Sequence, residues 1–393
     1  MKIQSLVLEG FLGQDKAIRI NFNEDINIFT GRNGSGKTTL LKLLWYVLSG
    51  NLSLAMNEIP FKRAELKTSE YTCTLDRKRP TGRVEVLHHG SGARYLSEFL
   101  HDGERYLLSE KDQADTALFN IGSSLFLPTF RRIEGGFSIG RHRPGSKEHL
   151  TDDIGKSLSA FSRRLSNDKH SLVLSIGTHD IEKLLIKEYA SRSEELNSLK
   201  MGYSDNFKKA IKDLENYMVE FKKEFHKTQK RKKKNSSNPL AEEPSISPVE
   251  MKLLEAAKKE MEELETFTEK IMQPFNVIKE IVSSIMQHSG IRLDSTLTIG
   301  EAAKAIHSEF LSAGEKQLFS FIAYNSFFQN AVILIDEPEL SLHVDWQRQL
   351  FSILVKQQSS NQFIVATHSP FIYAKYPDKE TLLGMDHGNE GDQ

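Results

Sequence analysis

The string Gly31-Arg32-Asn33-Gly34-Ser35-Gly36-Lys37-Thr38 constrains this chain more than any other stretch. It fits the phosphate-binding pattern G-x-x-x-x-G-K-S/T, and its neighbours give that pattern a physical setting. Ile26-Asn27-Ile28-Phe29-Thr30 reads as a buried strand before it, and Thr39 to Leu48 as a helix after it, closed by Gly50. A glycine turn between strand and helix lets the backbone N–H groups of Asn33, Gly34, Ser35, Gly36, Lys37, Thr38 and Thr39 converge on phosphate oxygens. Lys37 would then reach the β- and γ-phosphates, and the Thr38 hydroxyl would hold Mg²⁺. A nucleotide site in an α/β fold is therefore expected.

The far end of the chain supplies what such a site still needs. Ala331-Val332-Ile333-Leu334-Ile335 is an apolar run ending in Asp336-Glu337, as a buried parallel strand would be, with two carboxylates at its C-terminal edge. One carboxylate suffices to hold Mg²⁺, so Asp336 takes that role, and Glu337 is free to orient and polarise an attacking water. Earlier stands Leu311-Ser312-Ala313-Gly314-Glu315-Lys316-Gln317, where Ser312 makes a good N-cap and the helix start forms a second anion site. By itself it also reads as an ordinary helix start. Asn361 to Thr367 is another buried strand, and it ends in His368, whose ring can hydrogen-bond a γ-phosphate or its water.

These motifs, in this order, resemble those of the ABC-type ATPases. Asp336-Glu337-Pro338-Glu339-Leu340-Ser341-Leu342-His343 and Ala366-Thr367-His368-Ser369-Pro370 resemble the RecF, SMC and OLD branch rather than the transporters. His343 stands where SMC proteins would have an aspartate, which favours the OLD-like group. The resemblance implies a head with a P-loop parallel sheet, an antiparallel layer and an inserted helical hairpin or short coiled coil. It also implies ATP with Mg²⁺ and a head-to-tail pair of protomers. In that pair Lys37 and Thr38 of one subunit share each nucleotide with Ser312, Gly314 and Glu315 of the other.

With 393 residues the chain is long enough for a full core plus an insertion. Its 52 Lys+Arg against 53 Asp+Glu do not announce a nucleic-acid binder. The single cysteine, Cys73, excludes a disulfide framework and a cysteine-rich zinc site. Met1 to Glu9 reads as a first strand rather than a signal peptide, and no apolar run approaches the ~20 residues that span a bilayer, so a soluble cytoplasmic protein is expected.

The middle of the chain is less diagnostic. Tyr71 to Leu75 and Arg83 to Val86 alternate apolar and polar residues, which predicts an antiparallel layer. Leu125 to Glu134 reads as a strand ending in Arg131 and Arg132, which suit a phosphate, a partner carboxylate, DNA or an ordinary salt-bridged strand end. Arg141, His142, Arg143 and Lys147 add a local basic cluster. Two charged helical stretches, Thr178 to about Lys227 and Pro248 to about His288, flank the basic run Lys230-Arg231-Lys232-Lys233-Lys234. That run reads as a flexible hairpin tip, and it is also suited to a nucleic-acid backbone.

The expected organisation is residues 1–177 as the N-terminal part of the head, 178–290 as the helical insertion and 291–393 as the C-terminal part. The acids Asp378, Glu380, Asp386, Glu390 and Asp392 lie in too short and polar a tail to build a nuclease metal centre. The phrase around Arg131 and the missing effector resemble the stand-alone ATPase subunits of antiphage systems such as PARIS and Septu. The expectation is a slow ATPase that senses or scaffolds, with a separate effector chain. The alternative is a RecF-like repair or chromosome-maintenance ATPase acting directly on DNA.

Overall fold

The computed structural model describes residues 1–78, 80–129, 132–133, 157–158, 160–176, 181, 183–202, 248–288, 312–357 and 359–384. Contacts divide the chain into two compact units, one made of Met1–Leu185 with Val277–Gln393 and the other of Ile186–Asn276.

In the larger unit, strands β1 (Ile3–Glu9), β2 (Ile18–Asn21) and β3 (Ile26–Thr30) precede helices α1 (Lys37–Leu48) and α2 (Leu52–Glu58). Strands β4 (Arg63–Thr68), β5 (Tyr71–Lys78), β6 (Thr81–His88), β7 (Arg94–His101) and β8 (Tyr106–Asp112) follow. Helix α3 (Ala114–Phe119) leads to β9 (Ser124–Leu127), β10 (Arg132–Ile133), β11 (His170–Leu172) and β12 (Ser175–Ile176). After the long helix α4 (Pro248–His288) come α5 (Ala313–Phe327), β13 (Val332–Asp336), α6 (Val344–Lys356), β14 (Gln362–Ala366), α7 (Pro370–Tyr373) and β15 (Glu380–Leu382).

Six strands form a sheet in the order β11-β9-β13-β14-β3-β15, and every pairing in it is parallel. Each residue of β3, β13 and β14 is buried. The alternation of side chains across a strand explains how a continuous apolar run is used. Val332, Leu334, Ile364, Ala366, Phe29 and Phe126 join one core with α1. Ile333, Ile335, Phe363, Val365, Ile28 and Leu125 join the other, with Phe321 of α5 and Phe351 of α6. Burying such a side chain contributes about 1.5–3 kcal/mol, so a helix layer on both faces is the arrangement this sequence selects.

Seven strands form the second sheet, β2-β1-β4-β5-β6-β7-β8, and all its pairings are antiparallel. One face is apolar: Leu66, Tyr71, Cys73, Leu75, Val84 and Val86 enter the core that holds α1. Helix α1 is thus sandwiched between the two sheets, which is why Leu40, Leu41, Leu44, Trp45 and Val47 are buried nearly all round it. An α/β fold with a parallel core and an antiparallel layer is what the motifs implied.

In the smaller unit residues 186–202 are helical and face the corresponding part of α4, with the Tyr189 and Phe275 rings 5.4 Å apart edge to face. Buried Leu196, Ile271 and Phe275 make its small core.

One detail differs from expectation. The strand beginning near Leu125 does not run on to paired arginines: β9 stops at Leu127, because Pro128 has no N–H to continue a ladder. Arg132 instead starts β10, which pairs with Ser175–Ile176. Within the polar tail, Glu380–Leu382 adds β15 beside β3. Arg131, the basic positions 141–147, the run 230–234, and Asp386, Glu390 and Asp392 lie outside the described residues.

Candidate functional site

In a parallel sheet all strands end at the same edge, and here that edge gathers the chemistry. β14 lies between β3 and β13, so the segment after it, Thr367-His368, stands between the glycine loop and Asp336-Glu337. The loop is shaped by close approach. Gly31 has φ 144°, and a Cβ there would overlap the Leu383 carbonyl oxygen. Gly36, with φ 92°, occupies the N-cap of α1 and brings no side-chain cap. The first N–H groups of α1, those of Lys37, Thr38 and Thr39, consequently have no capping side chain and are available to an anion. Asn33 and Gly34 are exposed on the loop, and the buried Ser35 hydroxyl has no protein partner. A cradle of this kind, with an orphaned hydroxyl inside it, fits phosphate.

Lys37 Nζ donates to the carbonyls of Gly31 (3.0 Å) and Arg32 (3.3 Å) and to His368 Nε2 (2.8 Å). An ammonium has three N–H donors, so these three acceptors saturate it, and an entering ligand must compete with them. Burial draws Lys37 below the ordinary lysine range, against the opposing pull of Glu337, Asp336 and Glu339. Burial and then the charge on Lys37 likewise lower His368, so its imidazole is neutral near pH 7 and Nε2 accepts. Glu337 Oε1 lies 3.4 Å from the same nitrogen.

Asp336 is fully buried at the end of β13. Its Oδ1 accepts from the Thr38 hydroxyl at 3.1 Å, and its Oδ2 accepts from the Thr129 hydroxyl. A hydroxyl and a carboxylate in contact are placed to share one hard cation. Glu337 has φ 49°, a left-handed conformation for a residue with a side chain, and its N–H donates to Ala366 O at 2.8 Å. Burial first, then a hydrogen bond to Glu339 and the charges of Glu339 and Asp336, push its carboxyl up to about 8, while Lys37 pulls the other way.

The start of α5 is closed by its own residues. Ser312 Oγ accepts from Glu315 N (3.3 Å), and the Ser312 N–H and hydroxyl both donate to Glu315 Oε2 at 2.8 Å. Gly314 touches the loop after β13 so closely that a Cβ would overlap the Ser341 carbonyl oxygen. Gln317 donates to Pro338 O at 3.1 Å. Ser312, Gly314 and Glu315 do not line the cleft beside the glycine loop.

That cleft, of about 690 Å³, is lined by Gln14, Thr30, Gly31–Ser35, Thr367, His368, Tyr373, Glu380 and Leu382–Gly384. Three residues of this edge were missed in the sequence: Thr129 on Asp336, Glu339 on His368, and Glu380, whose Oε1 accepts from Thr30 at 2.6 Å. Only Glu339 had a signal, its place in the acidic string after β13.

A family model described as AAA domain, putative AbiEii toxin, Type IV TA system, matches residues 26–374. Among solved structures, the Smc head domain with an extended coiled coil bound to the C-terminal domain of ScpA, from Pyrococcus furiosus, is similar at 16% identity. That match covers 95% of this chain and 91% of that one, with a TM-score of 0.36. The SmcHead bound to the C-winged helix domain of ScpA is similar at 14% identity over 95% of this chain and 91% of that one, with a TM-score of 0.37.

Proposed function

The chain belongs to that AAA-domain family, whose model matches residues 26–374, and on this premise we propose that it is a slow ABC-type ATPase controlling a separate effector chain in an antiphage defence system. One observation carries the ATPase reading: Lys37, His368 and Glu337 stand in a row at the sheet edge, 2.8 Å and 3.4 Å apart, beside the Thr38–Asp336 pair. The family description, a putative toxin of a type IV toxin–antitoxin system, supports a place in a growth-arrest or defence response.

The residues divide the work as follows. Backbone N–H groups from Asn33 to Thr39 hold the phosphates, and Lys37 leaves the Gly31 and Arg32 carbonyls for their oxygens. Thr38 and Asp336 would hold Mg²⁺, which would neutralise charge on the phosphates. Glu337 takes a proton from the attacking water, and His368 orients that water or a γ-phosphate oxygen. Ser312, Gly314 and Glu315 serve the nucleotide of a second, head-to-tail copy. Helix α5 then exchanges its internal capping contacts for contacts to that nucleotide. No helix among the described residues is long and apolar enough to cross a membrane.

The test is to express the chain with its genomic neighbours, purify the Glu337→Gln variant with ATP, and weigh the co-purifying chains. A stoichiometric second protein is expected. A protein that comes out alone but carrying DNA would replace this reading with direct action on DNA, for which Arg131, Arg132 and residues 230–234 are the candidates.

A further inference from the structure

His368 occupies a position that the sheet does not hold. The ladder continues one residue past each strand, with Glu337 N donating to Ala366 O (2.8 Å) and Thr367 N to Phe29 O (3.1 Å). Beyond that, side chains take over. Ser369 N donates to Thr367 Oγ1 at 2.9 Å, and Ser369 Oγ to Gln347 Oε1 at 2.6 Å. The His368 N–H donates to Glu339 Oε1 at 2.7 Å, a charge-assisted bond that ties the end of β14 to the loop after β13.

Glu339 is itself held. Its Oε2 is buried, and its charge helps push the Glu337 carboxyl up. Its loop is folded by bonds from Leu340 N to Glu337 O (3.3 Å) and from Leu342 N to Glu339 O (3.0 Å), and Ser341 has φ 70°. On the other side, α5 grips that loop through Gln317 and the close approach at Gly314. One carboxylate thus connects the loop that bears Glu337 to the backbone of the residue between Glu337 and Lys37.

We propose that Glu339 is a positioning residue, which sets the His368 ring between Lys37 and Glu337 by accepting the His368 backbone N–H. It touches neither phosphate nor water; it acts through His368. This inference rests on the ATPase reading above and deepens it. Loss of a positioning contact lowers the rate of the chemical step more than it weakens binding, because a displacement of about 1 Å costs up to about a hundredfold in rate.

Three measurements on the full-length protein decide it. Glu339→Ala should lower kcat about tenfold and leave the KM for ATP within about twofold, and Glu339→Gln, whose amide oxygen can still accept from His368, should recover most of the loss. In a His368→Ala background Glu339→Ala should cost clearly less than it does alone. The His368 amide proton, followed by NMR in protein with labelled histidine and no nucleotide, should move upfield in Glu339→Ala. An unshifted amide, or full additivity of the two alanine variants, would overturn the proposal, as would a Glu339→Gln variant as slow as Glu339→Ala. Should the wild type show no turnover that Lys37→Ala removes, the ATPase reading fails, and the amide shift still judges the tie between Glu339 and His368.

Discussion

The two sheets of the larger unit bury similar side chains to opposite ends. The central strands β3, β13 and β14 of the parallel sheet are covered on both faces and offer no solvent-facing positions, and buried Thr30, Asp336 and Thr367 stand where they stop. The antiparallel sheet alternates, as in the burial of Tyr71, Cys73 and Leu75 of β5, and spreads its polar residues evenly over one face. The two sheets divide the labour. The edge of the parallel sheet concentrates charge, strain and orphaned donors that do little for stability, and the antiparallel sheet supplies core without chemistry.

Variants at the two places should therefore separate cleanly. The largest effect is expected from Glu337→Gln, with ATP turnover down about a thousandfold, ATP still bound and little change in Tm near pH 5. Lys37→Ala should weaken ATP binding about a hundredfold or more, read by calorimetry, because it removes a charged donor from the phosphates. In the other sheet, Leu75→Ala should cost about 2–5 kcal/mol in denaturant melts by leaving a cavity, with the KM for ATP unchanged. A large loss of ATP affinity in Leu75→Ala would break the division.

Two smaller effects sharpen it. The kcat/KM for ATP should climb as pH rises through about 8, where the Glu337 carboxyl of the free protein loses its proton. The same shift has a stability sign. The folded carboxyl titrates at about 8 against 4.5 for the unshifted group, so the folded state holds the extra proton between those values. That contribution is complete below the lower value and is lost as pH rises through the upper one. The Tm of Glu337→Gln minus that of wild type should thus grow from about pH 5 to about pH 9, and a flat difference would remove the claim of a strained carboxyl. Gly314→Ala should cost about 1–3 kcal/mol, since its Cβ must push the Ser341 carbonyl aside.

Much of this was legible because the signals are local. Apolar runs marked β3, β13 and β14, alternation marked β5 and β6, and helical spacing marked Pro248–His288. The capping box at Ser312 and Glu315 was half visible: the serine was read as a cap, but the carboxylate that closes it was not. What stayed hidden is long-range. The insertion of β14 between β3 and β13 depends on how distant strands cross over, and Thr129 meets Asp336 from 207 residues away. Glu380 reaches Thr30 across 350 residues, from a tail read only as too short and polar for a nuclease metal centre. Glu339 was in plain view within its motif, but a side chain that supports another residue's backbone leaves no spacing to detect.

The most direct test of the central claim is the nucleotide that stays with the protein after incubation with ATP and Mg²⁺ and passage through a desalting column. Wild type should carry ADP or nothing, Glu337→Gln should carry intact ATP, and Lys37→Ala should carry none. Equal retention of ATP by wild type and Lys37→Ala would contradict the account.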